Sequence, residues 1–323
     1  MKKILIGWML LIGLAATGQQ HKVQLIPQPV DLQVLTGSWA LTGSATITFN
    51  KPGVQKVAEM LSQKLSQPTG FRLAAKQGQA GVIQLNLNAN ADQKLGKEGY
   101  TLVSSSKGVV ISANEPAGLF YGMQTLLQLF PKEIESREVV KANWTLPAVQ
   151  ITDYPRFGWR GLMLDVSRNF FTKEEVKRYI DEMVRFKMNT FHWHLTDDNG
   201  WRIEIKSLPR LTEVGAWRVP RYGQFGERKA PEPGEAATVG GFYTQDDVRE
   251  IIQYAQDRHV TIVPEIDVPG HSMAAIAAYP ELSCTKDPTT TVNPGSNFAE
   301  WHGDGTFTMM IDNTLNPSDE KVY

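Results

Sequence analysis

Residues 158–202 constrain this chain more than any other stretch. Gly158-Trp-Arg-Gly161 leads into an apolar run, Leu162 to Val166, that breaks at polar residues. Thr172-Lys-Glu-Glu175 then carries the capping-box pattern, with a Ser/Thr hydroxyl and a Glu three residues later satisfying each other's backbone N–H groups. Val176, Ile180, Met183 and Val184 follow on one helical face, and a second apolar run from Met188 to Leu195 ends in Thr196, Asp197 and Asp198. A strand, a helix and a parallel strand are expected. Continuous apolar runs suit strands buried on both faces, and polar groups gathered at their carboxyl ends are the arrangement of a (β/α)-barrel enzyme.

The pattern recurs downstream. Thr244-Gln-Asp-Asp247 opens a helix carrying Val248, Ile251, Ile252 and Ala255, and Val260-Thr-Ile-Val-Pro-Glu-Ile-Asp-Val-Pro-Gly-His271 supplies a third strand with an acidic and His cluster at its end. The Gly- and Pro-rich stretches 201–241 and 273–314 are expected to be long loops on the same face. Several side chains could do chemistry there. Asp197 and His271 each lie just past a strand end, where they can form either a loop-stabilising ion pair or a proton relay. His192 and His194 share one strand face, because alternate residues do, and with Asp197, Asp198 and His271 they could be taken for a metal site. Glu265 and Asp267 resemble a carboxylate pair for glycoside hydrolysis. Arg160 lies near the start of its strand, where it could close the barrel floor. Asp165 and Arg168 are expected to pair with one another. Trp201 and Trp217 could line a sugar pocket or form a loop core.

Three segments taken together, Trp159-Arg-Gly-Leu-Met-Leu-Asp-Val-Ser-Arg168, His192-Trp-His-Leu-Thr-Asp-Asp-Asn-Gly-Trp201 and Pro264-Glu-Ile-Asp-Val-Pro-Gly-His271, resemble the consecutive barrel motifs of glycoside hydrolase family 20, the β-N-acetylhexosaminidases. The resemblance implies that Asp197 and His271 form a relay supporting a catalytic Glu, and that Arg160 binds sugar hydroxyls. It leaves Glu265, Asp267 and His194 in supporting positions around the site. The family's own catalytic pair is an Asp-Glu dipeptide at the end of the fourth strand. Asp181-Glu182 and Asp319-Glu320 both lie in helical patterns, so that pair is not expected within this chain. The implied reaction removes terminal N-acetylhexosamine from oligosaccharides or glycoconjugates with retention, the substrate's acetamido oxygen acting as nucleophile, with no metal or organic cofactor. A metal-dependent barrel hydrolase and a non-catalytic carbohydrate-binding protein are the alternatives from other classes.

Residues 19–150 read as a small α+β domain. Val23–Ile26, Ala45–Phe49 and Val82–Leu87 have strand patterns, Val54–Leu65 a helical one, and Tyr100–Val103 with Val109–Ser112 a hairpin around Lys107-Gly108. A helical stripe follows Pro116. Glu98-Gly-Tyr and Gly118-Leu-Phe-Tyr-Gly-Met-Gln-Thr-Leu resemble the domain that precedes the barrel in family 20. Residues 131–157, containing Pro131, Pro147 and Pro155, are expected to connect it to a barrel portion at 151–323. The expected fold is thus an α+β amino-terminal domain followed by the first part of a (β/α)8 TIM barrel, incomplete after about three strands.

At the amino terminus, Lys2-Lys3, an apolar run and the small residues Ala16-Thr-Gly18 read as a secretory signal over 1–18, too short to span a bilayer comfortably. An exported protein, periplasmic or extracellular and without a stable membrane anchor, is expected. Cys284 is the only cysteine, which excludes an internal disulfide framework, and the formal net charge of −1 gives no footprint for nucleic acid. Asn316-Pro317-Ser-Asp-Glu320 has the residues of a helix start.

Overall fold

The computed structural model describes residues 23–297 and 299–322; the predicted signal segment 1–18 lies outside the described residues. The first layer is a seven-stranded sheet. In chain order its parts are β1 (Asp31–Ala40), β2 (Ile47–Phe49), α1 (Gln55–Thr69), β3 (Ala75–Gln77), β4 (Ile83–Leu87), β5 (Tyr100–Ser105), β6 (Gly108–Ala113), α2 (Pro116–Leu129) and β7 (Thr145–Asp153). The strand order is β1-β7-β5-β6-β4-β2-β3. β5 and β6 form the expected hairpin, and Gly108 takes a positive φ of 132° where a Cβ would meet the Val82 carbonyl oxygen at 2.1 Å. Leu119, Phe120, Met123 and Leu126 of α2 are fully buried against the sheet, as their helical spacing predicts.

Two expectations fail in this half. Residues 23–26 belong to no strand, and the first strand begins at Asp31. The segment read as a connection contains β7, which is paired on both sides, to β1 and β5, and extends to Asp153. Its prolines obscured it. Pro147 is tolerated because it lies opposite Ser38, where β1 bulges and the register jumps from Val34↔Val149 to Ser38↔Pro147.

The second unit contains β8 (Gly161–Asp165), α3 (Lys173–Arg185), β9 (Thr190–Asp197), β10 (Gly200–Trp201), α4 (Arg210–Glu213), β11 (Trp217–Arg218), β12 (Val239–Gly240), α5 (Gln245–Gln256), β13 (Thr261–Ile266), α6 (Met273–Ala278), β14 (Ala299–Trp301) and β15 (Phe307–Met309). β8, β9 and β13 are parallel, with β9 in the middle. These are the three expected strands, forming an arc of a barrel. Both capping boxes form: Thr172 with Glu175 starts α3, and Thr244 with Asp247 starts α5. The two helices lie side by side, joined by Lys173 Nζ–Asp247 Oδ1 (2.8 Å) and Arg258 Nε–Asp181 Oδ1 (2.7 Å). The expected helix start at Asn316 yields only a 3-10 turn, Glu320–Val322, with Asn316 Oδ1 accepting from the Ser318 N–H at 3.1 Å.

The two units share one hydrophobic core, and polar ties cross between them at the amino ends of the barrel strands. Lys187 is buried and donates to Asp153 Oδ2 (2.8 Å) and Tyr100 Oη (2.9 Å). Burial pushes its pKa down while Asp153 pulls it up, and that carboxylate is what keeps a buried ammonium tolerable. Glu98 accepts from Arg160 and Asn189. Among the described residues no helix is long and apolar enough to cross a membrane.

Candidate active site

The parallel register builds one layer of polar side chains across the arc. Asp165 of β8 lies beside His194 of β9, and Glu265 of β13 lies on its other side. His194 is buried, with Nδ1 2.8 Å from Glu265 Oε2 and Nε2 3.0 Å from Asp197 Oδ2. A carboxylate at each ring nitrogen calls for a proton on both. Burial alone would lower the His194 pKa, but the hydrogen bonds to Asp197 and Glu265 raise it to about 9. Burial pushes the Glu265 pKa up, and His194 and His192 outweigh it, leaving that carboxyl below its ordinary value. His192 also bonds Glu265, so the two histidines act on one face as expected.

Above this layer, two adjacent carboxylates at the end of β9 face overlapping sets of partners. Asp197, 1% exposed, receives Arg168 Nη2 at 2.6 Å as well as His194, and its other oxygen accepts the Asp198 N–H at 2.7 Å. Asp198 Oδ2 lies 3.1 Å from His271 Nδ1 and 3.3 Å from Asn313 Nδ2, while Oδ1 accepts the Met273 N–H at 3.1 Å. His271 reaches Asp197 only at 3.4 Å. The expected Asp197–His271 pair is thus within contact distance through Asp197 Oδ1, the oxygen not used by Arg168 and His194, and Asp198 Oδ2 is the nearer of two carboxylates facing the same ring. Burial raises the Asp198 pKa against the opposing effect of the three donors. The His271 side chain is 54% exposed, and its backbone is held at φ +49°, a left-handed conformation that a non-glycine residue keeps only where its surroundings demand it.

Arg168 was expected only to pair with Asp165. It does so, Nη1 to Oδ2 at 2.8 Å, and the same carboxylate accepts the backbone N–H groups of Ser167 and Arg168, fixing the turn after β8. Yet Arg168 also binds Asp197 and comes within 3.3 Å of His194 Nε2, two cation-forming groups held together by the oxygen they share. Its side chain remains partly exposed on this face.

Arg160, expected on resemblance to hold sugar hydroxyls, is at the opposite end. It precedes the first residue of β8, about 16 Å along the strand from Asp165. Its Nη1 binds Glu98 Oε2 at 2.9 Å and Phe157 O at 2.8 Å, and its Nε binds Lys187 O at 2.7 Å. Those ties close the barrel floor against the first domain.

Below the acidic turn, Arg202 is 1% exposed and donates to five backbone carbonyls, those of Val166, Ser167, Asn199, Ala216 and Gly241. Burial lowers its pKa to about 10. Gly200 makes room for it, since a Cβ there would lie 2.1 Å from the guanidinium carbon. Trp201 and Trp217 donate to Ile203 O and Thr212 O, and Trp201 packs with Leu211 and Ala274 in a small second core, so the loop-core reading holds for Trp201.

Among the described residues two groups have metal-ligand composition, His194 with Glu265 and Asp267, and Asp197 with Asp198 and His271. In the first, both His194 nitrogens face carboxylates, Nδ1 toward Glu265 and Nε2 toward Asp197. The Asp267 backbone N–H donates to Thr196 Oγ1 at 2.9 Å, tying the third strand's end to the second.

The sequence profile for glycosyl hydrolase family 20, domain 2, matches residues 22–154, and that for the catalytic domain of the same family matches residues 157–322. A beta-hexosaminidase from Porphyromonas gingivalis is 42% identical over 287 residues, 85% of this chain and 35% of that protein. One from Vibrio furnissii is 39% identical over 82% of this chain and 41% of the relative. The crystal structure of Streptomyces plicatus N-acetyl-beta-hexosaminidase in complex with Thio-NAglucal superimposes with a TM-score of 0.76 at 37% identity, covering 93% of this chain and 54% of that one. The chain thus spans about half, or less, of the proteins it matches. Two profile matches in family order, together covering nearly all described residues, establish that the chain belongs to glycosyl hydrolase family 20.

Proposed function

We propose that this chain is the amino-terminal part of an exported exo-acting β-N-acetylhexosaminidase that removes terminal N-acetylhexosamine by a retaining, substrate-assisted reaction. The observation that carries the reading is the cluster of Arg168, His194, Asp197, Asp198 and His271 at the carboxyl ends of three parallel strands, in a chain of this family. It offers donors and a tunable imidazole where a polar sugar would sit. No Asp-Glu dipeptide ends a barrel strand among the described residues, so the acetamido-positioning Asp and the general-acid Glu are assigned to barrel sequence outside this chain. The fragment by itself is accordingly assigned no turnover.

In this scheme Asp198 holds the His271 ring, and the exposed face of His271 supports the proton affinity of the acid that protonates the departing oxygen. Arg168, fixed from two sides by Asp165 and Asp197, presents its remaining N–H groups to sugar hydroxyls, the role that Arg160 cannot fill from the barrel floor. His194 holds the Asp197 and Glu265 carboxylates in place beneath them.

The test uses the full-length protein. It should cleave an aryl 2-acetamido-2-deoxy-β-glucoside far faster than the matching plain β-glucoside, and fluorination of the acetyl methyl should slow it progressively as the attacking carbonyl oxygen loses electron density. Equal rates on the two sugars would remove substrate assistance. Fractionation of the host cell should place the protein outside the cytoplasm.

A further inference from the structure

The long loop after α6 returns twice to the acidic turn. Its first foot is Asn293, whose N–H donates to Asp198 O at 3.1 Å and whose carbonyl accepts from Asn199 Nδ2 at 2.6 Å. Its second foot is Asn313, which donates through Nδ2 to Asp198 Oδ2 at 3.3 Å and accepts the Ser272 N–H at 2.9 Å, one residue from His271. Between the two feet rises the antiparallel hairpin β14–β15, in which Trp301 is directly opposite Phe307. Their ring centroids are 5.0 Å apart at 42°, and the side chains are 67% and 50% exposed.

The hairpin is built to hold that pair outward. Asp304 accepts from both the N–H and the hydroxyl of Thr306 to form the turn, and His302 Nε2 meets Thr308 Oγ1 at 2.9 Å across the strands. The neighbouring loop is tied to the hairpin's base by Gly226 N–H to Gly295 O (2.7 Å) and Arg228 Nη1 to Pro294 O (3.1 Å). Large aromatic faces grouped in water mark a binding surface rather than a packing accident.

We propose that the β14–β15 hairpin is the platform for the sugar next to the one being removed, with Trp301 and Phe307 stacking on its CH face. This rests on the hexosaminidase reading above. A saccharide is favoured over a protein because the hairpin's base is continuous with the Asp198–His271 pair. A hairpin with three-residue strands is also far smaller than the roughly 800 Å² per partner of a stable protein interface. An aromatic ring offers an electron-rich face to the slightly positive C–H groups of a pyranose while leaving its equatorial hydroxyls in water.

The test compares two substrates in the full-length protein, chitotetraose and methyl 2-acetamido-2-deoxy-β-glucoside, whose leaving group is too small to reach the hairpin. Trp301→Ala should raise KM for chitotetraose about tenfold and change kcat/KM for the methyl glycoside less than about twofold, the pattern of a lost binding contact away from the reacting bond. Trp301→Phe should recover most of the difference, and Phe307→Ala should show a smaller version of it. Parallel losses on both substrates, no loss on either, or a change in oligomeric state with unchanged substrate preference would overturn the platform and leave the hexosaminidase reading standing. A wild-type protein that turns over neither substrate would overturn both.

Discussion

Arg168 Nη2 and Asp197 Oδ2 are 2.6 Å apart on the face where the barrel strands end, while the other oxygen of that carboxylate lies 3.4 Å from His271 Nδ1. Asp198 Oδ2 is nearer to the same ring nitrogen, at 3.1 Å. Two adjacent acids in one turn therefore face one imidazole, and only Asp197 also binds Arg168 and His194.

That division predicts which residues act together. In the full-length protein, Asp197→Asn with Arg168→Ala, and Asp198→Asn with His271→Ala, should each lose little more in kcat/KM than the worse single variant, while the crossed pair Asp197→Asn with His271→Ala should come closer to additive. Double-mutant cycles on an aryl N-acetylglucosaminide measure this. Strong coupling confined to Asp197 and His271 would restore the simpler relay.

The two arginines should separate cleanly. Arg168→Ala is expected to lower kcat/KM by tenfold or more, on the order of the 1.5–3 kcal/mol of a charge-assisted hydrogen bond, with Arg168→Lys recovering only part. Arg160→Ala should leave KM unchanged and lower stability by about 1–3 kcal/mol, since it removes a partly buried pair between the two domains. Steady-state kinetics and denaturant unfolding on both variants distinguish the roles.

His194 should make stability fall with rising pH. Its folded pKa of about 9 lies above the ordinary value, so the folded state binds the extra proton more tightly than the unfolded chain does. Its contribution is present in full below about pH 6.5 and is lost as pH rises through about 9. Unfolding midpoints at pH 6, 7.5 and 9 should show a wild-type decline that is reduced in His194→Asn. Identical slopes would show that the imidazole is not the cation that Asp197 and Glu265 hold.

Arg202→Met should destabilise the protein by about 3–5 kcal/mol, because it removes a buried cation that satisfies five carbonyls at once. Gly200→Ala should produce a smaller loss of the same kind by displacing the guanidinium. Thermal unfolding, with proteolysis to localise the loosened loop around residues 199–218, is the measurement.

Much of the scaffold was legible in the chain. The apolar runs at 162–166 and 188–195, each ending in polar residues, could only bury themselves as parallel strands, and the two capping boxes marked their helices to the residue. Alternation placed His192 and His194 on one face, and Glu265 now bonds both. β7 was hidden because a proline inside a central strand is admissible only where the partner strand bulges, and the bulge belongs to β1, more than a hundred residues earlier.

Local pattern determined the helices, the strand directions and the end of the barrel at which polar chemistry gathers, because each depends on residues a few positions apart. Motif order identified the family for the same reason. Partnership was decided only in three dimensions. Whether His271 meets Asp197 or Asp198, whether Arg160 or Arg168 faces the site, and whether Trp301 is core or surface all depend on contacts between residues far apart in sequence. Side chains compete there for a limited number of lone pairs and for buried space, and the competition is settled by the register and packing of whole strands rather than by the residues on either side.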